Sequence, residues 1–219
     1  MYLSKVEIDV CNRKKIRDLK HLGCYHGWIE SSFPLEFEKA KEERTRKLWR
    51  IDSLDGKLYL LLLSETKPDM ALLERYGVKG SSESKSYDDF INNLKEGMRA
   101  KFRIKLNTVK SYSDRSKYEK RGRVAPVPLK ELNKFFLERT EKNGFSVKDD
   151  EFSMVNRGEE LFQKQDGDNK KINLDLVGAT YEGILTITDL EKFEHALTRG
   201  IGKKKAYGFG LLTIIPINE

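Results

Sequence analysis

The stretch GIGKKKAYGFG, residues 200–210, combines two residue types that together can hold phosphate. Glycine carries no side-chain bulk, so a phosphate can approach main-chain N–H groups near Gly202 and Gly208 while Lys203, Lys204 and Lys205 supply charge. The spacing is not that of a G-x-x-x-x-G-K-S/T phosphate loop or a dinucleotide fingerprint, and the stretch precedes a strand instead of opening a helix. A structural reading stands beside this one, in which Gly200 caps the preceding helix and the other glycines ease turns and a bulged strand.

A second concentration of charge runs from Arg99 to Arg123, where ten basic residues meet two acidic ones, Asp114 and Glu119. Lys101, Arg103 and Lys105 alternate along the outward face of one strand, and Lys110, Lys117, Arg121 and Arg123 follow. Like charges at that spacing repel, and a polyanion lying along the row would remove the cost. The alternative is an ordinary solvated face paired with the acidic segment 36–43. Tyr112 and Tyr118, set among these charges, can stack on bases or simply pack.

Groups able to move protons near neutral pH are few: His21, His26 and His195. With Cys11 and Cys24 they make no recognised zinc pattern and no CxxC pair, so neither a metal site nor a disulfide scaffold is expected. A reducing cytoplasm is the expected setting. By residue type alone, His26 beside Trp28 reads more readily as structural than as catalytic. His21 is its nearest competitor, and His195 a weaker one.

The 219 residues are 38% hydrophobic and 35% charged, with a net charge of +7. That is enough for one large or two small domains, and the basic excess favours an anionic partner. No stretch approaches the ~18 apolar residues of a membrane span.

The hydrophobic pattern predicts a strand over 1–10, helical material over 13–33 broken near Gly23, and a charged connector, LEFEKAKEERTRK. A strand at 48–51, an Asp55-Gly56 turn and the apolar strand LYLLLLS follow, then helical material over 69–96 and the alternating strand RAKFRIKLN. A second copy starts with a strand at 123–127 and a helix from Pro128 to Asn143-Gly144. It continues with strands over 146–188, a helix to Arg199 opened by a Thr188-x-x-Glu191 capping box, and a closing strand at 206–217. The expected fold is α+β, two tandem ferredoxin-like (RRM-like) βαββαβ domains with a β-hairpin inserted in the second. The domains are read as 1–112 and 123–219, joined by a basic linker at 113–122.

The N-terminal MYLSKVEI, the early helical histidine, the LWRID strand and the terminal GIGKKKAYGFGLLTIIP together resemble the CasE family of CRISPR repeat-processing endoribonucleases. The similarity runs over essentially the whole chain. It implies tandem ferredoxin-like domains that bind the hairpin of a CRISPR repeat transcript, cut at the 3′ side of its stem, and stay in the Cascade complex as a subunit. It also implies chemistry without metal or cofactor: the ribose 2′-hydroxyl attacks the adjacent phosphorus, giving a 2′,3′-cyclic phosphate and a 5′-hydroxyl.

By the same resemblance His26 is the catalytic histidine. The family commonly has a tyrosine three residues earlier, where this chain has Gly23, and the nearest tyrosine, Tyr25, is an orienting candidate. Basic groups of the second domain are expected to dock in the RNA groove, with the hairpin at 157–171 (Arg157, Lys164, Lys170, Lys171) as their counterpart here. The free protein is expected to be a monomer that does not engage membranes.

Overall fold

The computed structural model describes residues 1–37, 43–112, 123–165 and 171–217. Strand β1 (Tyr2–Glu7) leads through helices α1 (Arg13–Asp18), α2 (Leu22–Ser31) and α3 (Pro34–Phe37) to β2 (Leu48–Leu54) and β3 (Lys57–Ser64). After α4 (Met70–Leu73), β4 (Glu83–Ser86) completes an antiparallel sheet of order β2-β3-β1-β4. Ser4, Val6 and Ile8 turn inward while Lys5 faces out, as the alternation predicts.

The second sheet repeats the plan. Helix α5 (Asp88–Asn92) precedes β5 (Arg99–Asn107), and β6 (Val109–Tyr112) pairs with β7 (Arg123–Pro126) as a separate ribbon. Helix α6 (Leu132–Thr140), β8 (Phe145–Ser146), β9 (Phe152–Gln165), β10 (Lys171–Ile187), α7 (Leu190–Arg199) and β11 (Leu212–Pro216) complete the chain. The sheet order is β11-β5-β10-β8, with β9 also paired to β10. Both sheets therefore carry the strand order of a ferredoxin-like βαββαβ unit.

Three expectations need correction. RAKFRIKLN does not close the first sheet; as β5 it opens the second, pairing with β10 and β11. Its buried face of Ala100, Phe102, Ile104 and Leu106 packs into the second core. The place it was expected to fill belongs to β4, whose ESKS sequence is too short and polar to show a period; such edges discourage unwanted pairing. Residues 113–122 lie outside the described residues, but the paired strands β6 and β7 flank them, so they do not join the two sheets. The inserted hairpin is β6–β7, while β9–β10 is the motif's own hairpin, lengthened. Smaller shifts are that the helical break falls before His21 instead of at Gly23, and that Asp189 caps α7 by accepting from Lys192 N at 3.0 Å. Among the described residues no helix is long and apolar enough to cross a membrane.

The two halves share their interior. Phe162, Leu176 and Phe209 of the second half complete the core built by Val6, Trp28, Ile29 and Trp49 of the first. At the seam Arg50 is 2% exposed. Its Nε and Nη2 donate to Asp52 at 2.7 Å each, its Nη1 donates to the carbonyls of Arg103 (2.9 Å) and Leu211 (2.8 Å), and Nη2 also donates to Thr213 Oγ1 (2.8 Å). All five guanidinium N–H groups thus have acceptors, three of them across the seam. Arg50→Ala leaves Asp52 paired with Arg103 alone and takes the guanidinium donors from the Arg103 and Leu211 carbonyls and from Thr213 Oγ1. Denaturant unfolding should therefore show a loss of about 3 kcal/mol, the low end of the usual cost of breaking a buried pair.

Candidate functional site

Helix α2 is set by its first residue. His21 caps it by accepting from Gly23 N on Nδ1 at 3.1 Å, and its Nε2 lies 3.4 Å from Cys24 Sγ. Leu22, Trp28 and Ile29 are buried, and Trp28 Nε1 donates to Leu73 O at 3.1 Å. Three- and four-residue spacing then puts Gly23, His26, Gly27 and Glu30 together on the other face. His26 is half-buried there. It lines a cleft of about 430 Å³ with Glu30, Arg44, Thr45, Arg46, Lys47, Ala206 and Tyr207.

The cationic wall of this cleft is the segment leading into β2. The buried Glu36 carboxylate accepts from Thr45 N (3.1 Å), from Lys47 Nζ (2.9 Å) and from the Thr45 and Thr66 hydroxyls. Glu30 faces Arg44 and Lys47, each at 3.7 Å. Burial alone would raise the Glu36 pKa, but hydrogen bonds from Thr66, Lys47 and Thr45 outweigh it and hold the carboxyl down at about 2.

The opposite wall is the glycine loop. Trp49 Nε1 donates to Ala206 O at 3.0 Å, and Gly208 lies under the Trp49 ring, where a Cβ would come within 3.0–3.3 Å of ring carbons. Gly208 (φ +81°) and Gly210 (φ +85°) both take left-handed conformations that side chains resist. Gly210 also closes the loop, accepting from Ile201 N at 2.9 Å and donating to Lys105 O at 2.7 Å. Tyr207 meets the His26 ring edge-on with centroids 5.6 Å apart, and packs on Phe162 at 4.3 Å. Gly208 is thus buried in packing, while Gly202, Lys203 and Lys204 are exposed. Lys203 donates to Ser111 Oγ at 3.1 Å. Lys205 donates to Arg199 O at 2.7 Å, and burial, then the nearby Arg46 charge, hold its pKa below the lysine range.

The family model described as CRISPR associated protein matches residues 1–216. The chain belongs to that family. It is 27% identical over 223 aligned residues to the CRISPR-associated endoribonuclease Cse3 of Thermus thermophilus, covering 99% of this chain and 100% of the relative. It is 32% identical over 129 residues to the CRISPR system Cascade subunit CasE of Escherichia coli, covering 57% of this chain and 61% of that one. Among solved structures, Cse3 bound to a 19-nucleotide RNA superposes with a TM-score of 0.79 at 25% identity, over 99% of this chain and 100% of that one.

In this CRISPR associated protein the residues singled out from sequence separate into groups. His26 shares one cleft with Ala206 and Tyr207 of the glycine loop, while Lys203, Lys204 and Lys205 are not among the residues that line it. Tyr25 does not line it: its ring lies 5.8 Å from Trp49 and 6.3 Å from Trp28, and burial raises its hydroxyl pKa. His21 is occupied as a cap, and His195 sits on the exposed side of α7.

The basic row on β5 is largely neutralised from within. Arg103 pairs with Asp52 and Glu182, Lys105 pairs with Glu160, and Lys101 is exposed. The compensating carboxylates seen here come from β2, β9 and β10; of the acidic segment 36–43, residues 38–42 lie outside the described residues. Lys110 lies 3.6 Å from Glu131, and Arg157 is exposed on β9. Arg123, Lys164 and Lys171 fall in strands β7, β9 and β10, while Lys117, Arg121 and Lys170, with Tyr118, lie outside the described residues.

Sequence reasoning missed Arg44 and Arg46, which belong to the stretch taken as a mere connector. The one available signal was a basic TRK tripeptide running directly into LWRID.

Two expectations follow from these contacts. Tyr25→Phe should leave RNA cleavage within about threefold of wild type, since removing the hydroxyl takes nothing from the cleft; single-turnover assays check this. Because the Glu36 pKa is depressed, its contribution to stability is full above the unfolded value near 4.5 and is lost as pH falls toward about 2. Thermal melts from pH 6 to pH 2 should therefore fall less steeply for Glu36→Gln than for wild type.

Proposed function

We propose that this protein is an endoribonuclease that binds the repeat hairpin of a CRISPR transcript and cuts at the 3′ side of the stem. The observation that carries this reading is His26, half-buried and in ring contact with Tyr207 of the glycine loop, in a cleft walled by Arg44, Arg46 and Lys47. Cleavage by the neighbouring 2′-hydroxyl needs a proton removed from that hydroxyl, a proton given to the departing 5′-oxygen, and positive charge where the phosphate gathers negative charge. An imidazole at the cleft wall serves one of the proton transfers, and the surrounding cations serve the charge. The products are a 2′,3′-cyclic phosphate and a 5′-hydroxyl, and no metal takes part.

The first domain supplies His26, and the second supplies the glycine loop and the strands β9 and β10 with Arg157, Lys164 and Lys171. Lys170, expected from sequence to act with them, lies outside the described residues. A-form RNA has a deep, narrow major groove, so such a strand pair reads phosphates and shape near a stem end more than base identity. Likeness to Cse3 and to a Cascade subunit supports retention of the cut RNA within Cascade, in the cytoplasm.

The test is incubation of the protein with repeat hairpin RNA in excess chelator, with analysis of product ends. Cleavage should persist in chelator, leave a cyclic phosphate, and stop when a single 2′-deoxy nucleotide precedes the cut. His26→Ala should slow the reaction by roughly 10²–10⁴-fold, the usual reach of general acid–base catalysis, with RNA binding largely kept. RNA that is bound by the wild type but never cut would make the protein a non-catalytic RRM-like RNA binder instead.

A further inference from the structure

We propose that Arg46 is the catalytic cation of this site: its guanidinium grips the non-bridging oxygens of the scissile phosphate while His26 handles the proton. The proposal rests on the endoribonuclease reading above and names the group that carries its electrostatic part.

Five cationic side chains lie at or near the cleft, and they are not equivalent. Lys204 is exposed with its Nζ 6.0 Å from the Tyr207 ring centre, but it does not line the cleft. Lys47 is buried, with a side-chain exposure of 2%, and is neutralised by Glu36 and Glu30. Arg44 faces Glu30 and is itself largely enclosed. Lys205 turns back to donate to Arg199 O. Arg46 is exposed, lines the cleft with His26, and pairs with no carboxylate among the described residues.

The chain around Arg46 explains this arrangement. Its neighbours on both sides, Thr45 and Lys47, are bonded to the buried Glu36, and Arg44 is drawn to Glu30. The segment is therefore held from both ends, and the side chain between the anchors is presented on a fixed backbone. A donor aimed in advance needs no reorganisation as charge develops, which is the condition for electrostatic catalysis. Lys205 feels the Arg46 charge. Two cations set near one another without an acid between them repel, and a phosphate entering the cleft relieves that repulsion.

The residue type also fits. Guanidinium stays protonated at any working pH and offers two parallel N–H groups to two phosphate oxygens, whereas an ammonium is a point charge. Gly23, one helical turn before His26, has no side-chain group to share the phosphate's charge. Arg46 supplies a full positive charge from the facing wall instead.

The experiment compares wild type, Arg46→Ala and Arg46→Lys in single-turnover cleavage of repeat hairpin RNA, at saturating protein and in chelator. Failure of the wild type to cut would overturn the endoribonuclease reading, and this assignment with it. If the wild type cuts, Arg46→Ala should be slower by about 10²–10³-fold, as for loss of one oxyanion donor, and Arg46→Lys should recover only part of the rate. Binding of a 2′-deoxy-blocked hairpin should stay within about threefold, because the contact strengthens in the transition state.

Sulfur substituted for a non-bridging oxygen at the cut should slow the wild type more than Arg46→Ala. Cleavage by Arg46→Ala within about threefold of wild type would overturn the assignment while leaving the endoribonuclease reading intact. So would an equal sulfur effect in both proteins, or a defect confined to binding.

Discussion

A guanidinium sealed between two sheets fixes the geometry on which the rest depends. Arg50 leaves the edge strand of the first sheet, chelates Asp52 beside it, and directs its remaining hydrogens to the carbonyls of Arg103 in β5 and Leu211 just before β11 and to the Thr213 hydroxyl in β11. A buried cation must find all its acceptors, because an unpaired one costs several kcal/mol. Here the acceptors belong to both halves, so the charge is satisfied at one relative position of the sheets. Leu48 and Trp49, the two preceding residues, press on Gly200 and Gly208 and so hold the glycine loop against the same edge. In this way the seam carries His26, on the first half, to the loop on the second.

The same seam redistributes charge. Asp52, already bound to Arg50, also pairs with Arg103, and Glu182 and Glu160 neutralise Arg103 and Lys105. Lys105 Nζ further sits 5.3 Å above the Phe209 ring. A row that would repel itself on an isolated strand is stabilised once the neighbouring strands bring their carboxylates. Among the described residues, Arg46 in the cleft is an exposed cation with no carboxylate partner, and Lys203 and Lys204 of the loop are exposed as well. A polyanion therefore meets positive charge beside the histidine.

The start of α2 is the second constraint. Because the His21 ring folds over the helix end, a Cβ at position 23 would come within 2.9 Å of it. The capping histidine therefore needs a glycine two residues later, and a side chain at 23 would have to displace the cap. Gly27 is exposed and has nothing within 4 Å of a Cβ placed there. The imidazole of His26 meets Tyr207 on the facing loop.

Much of this was legible in the residues. Alternation along β1 and β5, the apolar run of β3, the turn at Asp55-Gly56 and the stop at Gly144 are local consequences of side-chain pattern and glycine conformation, and they point to the α+β repeat. The phosphate-like composition of the loop and the candidacy of His26 were likewise visible. The sequence could not show that a polar tetrapeptide, Glu83–Ser86, completes the first sheet, because backbone pairing at an edge leaves no hydrophobic signature. Nor could it show that three of the loop's glycines serve to pack on Leu48, Trp49 and Ile201, that β5 finds its counter-charges on three other strands, or that the strap from Arg44 to Lys47 walls the site. Periods and turns are written within a few consecutive residues. Charge pairing, ring contacts and the alignment of one cation with one imidazole depend on atoms brought together from distant positions, so only the folded chain decides them.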